Sequence, residues 1–337
     1  MSKNPRTTKP TRSANRRTSA ASVVRLSDPA ELVSMIPYVL GFTPTECIVV
    51  IALHGVRRRF GPCLRMDLVD DSADCEAQSR QVLQVVDRHA FEQVVLVAFS
   101  ARPALADSVI CLVRRGLDER SVTVAEALRA DGRRWWSYTC CEPTCCSPLG
   151  HEYDVETSRA AAEAVLHGLT RAPDRDSLRT QFTPAADGER IALASLVGIS
   201  GGSVVKHVNA AIESAPEVPT EQTVVLLAAV QDLAARDAAW ALMRRDNADD
   251  HFQLWRHVMR LAPDELLPPA GSLAAFGAWL GGHGVLASHA LDRVAEVDAS
   301  YSMARLLRTL LDLSINPDVW EAVEGSTGTA AESGAGA

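Results

Sequence analysis

The pattern of apolar and polar positions divides the chain into two textures. Glu46 to Leu53 (ECIVVIAL) is continuously apolar and β-branched, the pattern of a strand buried on both faces. Arg65 to Val69 is a second such run beyond the turn-rich stretch His54 to Pro62, and the two predict a hairpin. Gln93 to Phe99 (QVVLVAF) predicts a further buried strand, followed by strands at Ser121 to Ala127 and Gly132 to Tyr138. Asp74 to His89 carries Val82, Leu83, Val85 and Val86 among polar residues, the spacing of an amphipathic helix, and Ala104 to Leu117 also reads as a helix. Ahead of these, Asp28-Pro29-Ala30-Glu31 combines an N-cap acid, proline at the first helical position and an acid at the third, predicting a short helix that ends near Pro37 to Gly41. Strands alternating with helices predict a layered α/β domain, its mixed sheet flanked by helices and antiparallel at both ends.

After Asp154 the texture becomes alanine and leucine at helical spacing. Helices are predicted at Ser158 to Leu169, Glu221 to Met243, Asp249 to Leu261, Leu273 to Leu280, Val285 to Val297 and Tyr301 to Leu313. Only Ile191 to Val197 is ambiguous. Pro216, Pro219, Pro263, Pro268, Pro269 and Gly281 to Gly284 punctuate them. The second half is therefore expected to be all helical, and Leu273 to Leu313, with small residues where helices would cross, resembles a tetratricopeptide-like hairpin. The implied organisation is a disordered basic arm over residues 1–22, an α/β domain over 23–170, a helical domain over 171–323 and a disordered tail over 324–337.

Bulk properties narrow the function classes. With 337 residues, 47% hydrophobic and 23% charged, the chain has globular proportions and room for two domains. The net charge of −8 conceals an asymmetry: Lys3, Arg6, Lys9, Arg12, Arg16 and Arg17 sit in an arm without acids, leaving a body of about −14. An acidic body disfavours a broad nucleic-acid face, so that chemistry is confined to the arm. No apolar run approaches the roughly 18 residues of a membrane span, and the first residues lack the apolar core of a secretory signal. The expected compartment is the cytoplasm, where the eight cysteines would be reduced thiols or metal ligands.

Candidate chemistry concentrates between Arg133 and His151. Trp135 and Trp136 are adjacent on a predicted strand and must point to opposite faces. With Arg133, Arg134 and Tyr138 they form either packing at a domain junction or a ligand or partner surface. Cys140, Cys141, Cys145, Cys146 and His151 supply five zinc-type ligands; three residues separate Cys141 from Cys145, a permitted spacing, but adjacent cysteines seldom ligate together. A zinc site, redox or disulfide chemistry and a structural thiol loop are the competing readings. Elsewhere, Gly198 to Gly202 matches Gly-x-Ser-x-Gly without the sheet that a nucleophile elbow requires, and Lys206 is misplaced for a phosphate loop. Asp232, Arg236 and Asp237 lie on a predicted helix, where Asp232 and Arg236 have salt-bridge spacing and Arg236 could alternatively reach a ligand. Arg57, Arg58, Arg59 and Phe60 fall at the hairpin tip as a solvated or anion-touching turn, and His283 belongs to a helix-ending glycine turn.

Four stretches resemble an actinobacterial family, domain of unknown function family 4192. They are Leu32 to Leu53 (LVSMIPYVLGFTPTECIVVIAL), Gly132 to Cys146 (GRRWWSYTCCEPTCC), Leu226 to Ala239 (LLAAVQDLAARDAA) and Tyr301 to Trp320 (YSMARLLRTLLDLSINPDVW). The likeness covers roughly residues 25 to 322, and the Trp-Trp-Ser-Tyr and Cys-Cys combination is its specific part. The family's cysteine pair tends to run into prolines and a glycine, whereas Ser147 here stands before Pro148 and Gly150. The resemblance implies a fold neighbourhood and a bacterial lineage, with no catalytic residues to transfer. A non-catalytic interaction or regulatory protein is the leading expectation. The alternative is a small-molecule enzyme or ligand sensor with a cleft between the domains at the Trp and Cys segment.

Overall fold

The structure is a computed structural model and describes residues 28–55, 58–140, 142, 146–192, 203–215 and 217–320. The arm, the Gly198 to Gly202 motif, Arg57, Cys141, Cys145 and the tail lie outside them.

The first region is a mixed α/β assembly. Helix α1 (Pro29–Leu40) starts where the Asp28 carboxylate accepts the Glu31 N–H at 2.9 Å and ends at Gly41, whose φ of 79° is a left-handed cap. Strands β1 (Cys47–His54) and β2 (Arg59–Asp67) form an antiparallel hairpin, followed by α2 (Ser72–Arg88), β3 (Gln93–Phe99), α3 (Pro103–Glu119), β4 (Thr123–Ala130), β5 (Arg134–Ser137) and β6 (His151–Glu152). Sheet order is β2-β1-β3-β4-β5-β6, with β3 and β4 parallel and every other neighbouring pair antiparallel.

Because β1 and β3 are apolar at nearly every position, both faces of the sheet need cover. Ile48, Val50, Val94, Leu96 and Ala127 pack on Val82 and Val86 of α2 and on Val109, Ile110 and Val113 of α3. The alternate residues Val49, Ile51, Val95, Val97 and Leu128 pack on Leu32, Val33 and Ile36 of α1. Helix α4 (Arg159–Leu166) lies outside α1, burying Ala160, Ala161 and Ala164 against Met35 and Tyr38.

The second region is all helical: α5 (Arg175–Arg179), α6 (Val204–Glu213), α7 (Thr220–Ala229), α8 (Leu233–Trp240), α9 (Ala248–Leu261), α10 (Leu267–Leu280), α11 (Gly284–Val297) and α12 (Ser302–Asp312). Helix α10 is its axis. All fourteen residues of α10 are buried, and it packs on α9, α11 and α12. Gly277 permits the closest approach, since a Cβ there would meet the Phe252 backbone nitrogen at 3.0 Å and Cα at 3.1 Å.

Several boundaries differ from the sequence reading. Strand β2 begins at Arg59 instead of Arg65, and Phe60 is half-buried against both the α1-facing and α4-facing clusters instead of sitting on a solvated tip. The helix expected from Glu221 to Met243 breaks in two because the Asp232 carboxylate caps the Ala235 N–H at 2.9 Å. Pro268 and Pro269 belong to the first turn of α10, where a missing N–H costs no helical hydrogen bond.

Hydrogen bonds between residues 28–170 and the chain beyond run from the end of β2, from the end of α2 and from the turn after α1, where the Thr43 N–H donates to the Ala172 carbonyl at 3.0 Å and the Ala172 N–H to the Gly41 carbonyl at 2.8 Å. Arg175 Nη1 donates to Asp67 Oδ2 at 3.3 Å, Arg88 donates to the Leu313 carbonyl, and His89 Nε2 lies 2.6 Å from the Ser314 carbonyl. The segment Arg133 to His151, which the sequence suggested as the domain junction, lies at the opposite edge of the sheet from β2.

Two predictions follow from the helical core. Gly277→Ala is expected to destabilise the chain by about 1–3 kcal/mol, because the new methyl group meets backbone that cannot rotate away; urea unfolding checks this, and an unchanged midpoint contradicts it. His251, 1% exposed, has its pKa lowered to about 4 by burial. The unfolded chain therefore binds the extra proton, so stability is complete above about pH 6.5 and falls towards pH 4 by up to about 3 kcal/mol. His251→Leu is expected to remove this part of the slope in pH-dependent unfolding, leaving the share from His257 and His289, whose pKa values burial also lowers.

Candidate functional site

The turn between β4 and β5 is built by Asp131, whose carboxylate accepts the N–H groups of Arg133 (2.9 Å) and Arg134 (2.7 Å), with Gly132 at φ 96°. It starts β5 in a register pairing Arg129 with Trp136 and Ala130 with Trp135; β6 then places His151 opposite Trp135 and Glu152 opposite Arg134. A two-residue strand leaves no periodicity to read, so β6 had no signal in the sequence.

Alternation sends the tryptophans apart. Trp135, 9% exposed, joins the α1-facing core and stacks on His151, ring centroids 4.6 Å apart. Trp136 turns to the other face, where the Arg129 guanidinium lies 3.6 Å from its ring centroid and its Nε1–H donates to the Pro148 carbonyl at 3.1 Å. Gly150, at φ 73°, approaches so closely that a Cβ would sit 2.5 Å from the indole. The indole is thus a plate set between Arg129 and the chain entering β6. Tyr138, on the same face, donates to Asp107 of α3, and Arg114 Nη1 donates to the Tyr138 carbonyl at 2.7 Å. Burial, reinforced by Asp107, pushes the Tyr138 phenol well above its ordinary pKa, so it stays protonated as a donor.

Arg134 is held by the carbonyls of Leu149 (3.0 Å) and Gly150 (3.3 Å) and by Glu152 (2.5 Å). Arg133 is exposed, and among the described residues its partners are Asp131, on its backbone N–H, and Tyr153, on its carbonyl. Beside it opens a shallow cleft of about 570 Å³ lined by Arg133, Arg134, Glu152, Tyr153 and Asp154. Asp154 is occupied in the turn before α4, accepting from the Glu156 N–H and the Thr157 hydroxyl.

Of the five candidate metal ligands, Cys140, Cys146 and His151 are described. Cys140 and Cys146 are half-buried, and the Cys140 N–H is bound by the Ser137 hydroxyl at 3.0 Å. The His151 ring is taken up by Trp135, with a buried Nε2. Among the described residues no three His, Cys, Asp or Glu side chains come together as a metal cluster.

Arg236 and Asp237 belong to a separate place in the helical region. Arg236 is 8% exposed and binds Asp237 Oδ1 (2.6 Å) and the Tyr301 hydroxyl (3.0 Å); burial opposes its charge, but these partners raise its pKa. The expected Asp232–Arg236 pair is replaced by the Asp232 cap and this clamp from α8 to the start of α12. His283 lies 3.0 Å from Asp249 beyond the end of α10, where Gly282 takes φ 86°.

The structure also assembles a cluster that sequence reasoning missed, at the carboxyl end of β3. Glu46, at a strained φ of 43°, accepts from the Ser100 hydroxyl (2.9 Å), the Ala101 N–H (3.1 Å) and Arg102 Nε (3.0 Å), while Arg102 also pairs with Asp70. Burial raises the Glu46 pKa, but these hydrogen bonds outweigh it and leave the carboxylate more acidic than usual. The cluster fastens the start of α3 to the start of β1, with the Ser100 hydroxyl spent on a carboxylate. Proline after Arg102 marked a helix start, but nothing in the sequence joined it to Glu46.

A family profile described as Domain of unknown function (DUF4192) matches residues 29–318, nearly the whole described span. The chain belongs to the DUF4192 family. No protein of curated function and no solved structure matches it. In this DUF4192 chain the Trp-Trp motif is accounted for by packing, because each ring fills a different face of one short strand.

Gly150→Ala is expected to cost about 1–3 kcal/mol and to shift the tryptophan fluorescence, whereas Gly132→Ala, with open space around its Cβ, bears only the backbone strain of about 1 kcal/mol. Equal losses in urea unfolding would contradict the Trp136 contact.

Proposed function

We propose that the protein is a non-catalytic interaction or regulatory protein whose recognition surface is the β5–β6 edge around Arg133. One observation carries this reading: the side chains there that could perform chemistry are spent on holding the edge together, while Arg133 is exposed beside an open cleft. Trp136 is covered by Arg129 and Gly150, Tyr138 is bound to Asp107, and Arg134 to Glu152. Elsewhere, burial raises the Cys47 thiol to about 11, far from the range of a nucleophile. The two arginines and two carboxylates that line the cleft cancel formally, and Arg133 is the cation among them with no ion pair among the described residues, which suits an acidic group on a partner. The helical region, whose α10, α11 and α12 pack on one another, is read as a tetratricopeptide-like hairpin that offers a partner a second surface.

The second reading is a small-molecule enzyme or ligand sensor, favoured by the cleft itself, which is of a size that ligand pockets have. Nucleic-acid contact through the basic arm would be a separate activity with strong salt dependence. No helix among the described residues is long and apolar enough to cross a membrane, and the reading takes the cytoplasm as its setting.

The test places a photo-crosslinking residue at exposed Leu149 in the full chain inside producing cells, with exposed Arg80 as the control position. A discrete adduct from position 149 that Arg133→Glu abolishes, and no adduct from position 80, is expected. In parallel, a hydrolase and transferase substrate panel is expected to give no turnover. Saturable turnover that falls at least about tenfold in a folded Trp136→Phe variant, a loss of about 1.4 kcal/mol of transition-state stabilisation, overturns the proposal.

A further inference from the structure

We propose that the outer face of α12 is a self-association surface, on which a second copy of this chain packs its own α12 in antiparallel orientation. The proposal is independent of the β5–β6 edge.

Helix α12 buries Met303, Ala304 and Leu307 in the helical core. Leu306 and Leu313 lie beside that face and remain 51% and 43% exposed, with half-buried Leu310 between them. Spacings of four and seven residues put all three on one stripe, next to Ser302 and Thr309. The helix is held from behind: Arg88 and His89 of α2 bind the carbonyls of Leu313 and Ser314 at its end, and Arg308 Nη2 binds Asp292 of α11 at 2.6 Å. It therefore presents this stripe on a fixed support.

Charge complementarity identifies the occupant as another copy. Arg305 and Asp312 flank the stripe one heptad apart, both are exposed, and neither has an ion pair among the described residues. In a two-fold arrangement each residue meets its counterpart's partner: residue i contacts j while j contacts i. Antiparallel α12 helices crossing near Thr309 set Leu306 of each copy against Leu313 of the other. They also bring Arg305 of each to Asp312 of the other, at the flanking positions that select orientation in paired helices. A parallel arrangement would instead face Arg305 with Arg305 and Asp312 with Asp312. Three turns of helix bury less than the roughly 1,200 Å² of a standard interface, so the dimer is expected to dissociate on dilution.

Sedimentation equilibrium of the full chain tests this with Arg305→Asp, Asp312→Arg and the double variant. Each single reversal turns two symmetric attractions into repulsions and is expected to weaken dimerisation about tenfold, while the double swap restores it. Both reversals suit the helix itself, placing an acid near its N-terminus and a base at its C-terminus, so a loss of association cannot be ascribed to an unfolded α12. A wild-type chain that stays monomeric up to its solubility limit, as it would if other residues of the same chain covered the stripe, overturns the proposal. So does a dimer insensitive to the single reversals, or a double variant no tighter than the singles.

Discussion

The architecture of the first region depends on one constraint: β1 and β3 are apolar on both faces. Strands of that kind cannot lie on a surface, and two helices on one side and α1 on the other are what removes them from water. Burial weakens outward along the sheet, and β4 already carries Arg129 on its α3 face. Arg129, buried there, stacks on the flat, polarisable Trp136 indole and donates to the Ser100 carbonyl at 3.3 Å. The second tryptophan closes the opposite face over α1. The Trp-Trp pair is thus the device that ends a doubly covered sheet, with Gly150 allowing the chain to return close over the indole.

This assigns different work to neighbouring residues. Trp135, Trp136, Tyr138 and Arg134 hold the edge, and the exposed Arg133 side chain has no ion pair among the described residues, which is the ground for proposing it as a recognition residue. The same separation holds in the helical region, where Arg236 is a buried clamp onto Tyr301 while Arg305 and Asp312 remain outside on α12. Buried charged groups here are paired or stacked, and the unpaired ones lie on faces that solvent or another molecule can reach.

Much of this was legible in the sequence where one local rule dominates. The apolar runs gave β1 and β3, Asp28-Pro29 gave the start of α1, and side-chain alternation separated the two tryptophans. What escaped was decided by contacts distant in sequence or by competing local bonds. Asp232 reads equally well as an i,i+4 partner and as an N-cap, and the cap won. Phe60 looked like a loop residue because Gly61 and Pro62 follow it, yet α1 and α4 cover it. Helix α10 is apolar all round, so its two prolines looked like a break between helices instead of a first turn. The Glu46–Ser100–Arg102 cluster joins positions more than fifty residues apart, which no spacing rule connects.

The central claim is that Trp136 is a structural plate and that recognition belongs to the residues around it. Amide hydrogen exchange across residues 47–154, compared between the wild-type chain and Trp136→Ala, tests this most directly. If the indole holds the edge, the Arg129, Tyr138 and Tyr153 amides exchange at least about 100-fold faster in the variant, equivalent to about 2.7 kcal/mol of local stability, while those of β1 and β3 do not change. Unchanged exchange along β5 and β6 would mean that the ring supports nothing there, and the account would be wrong.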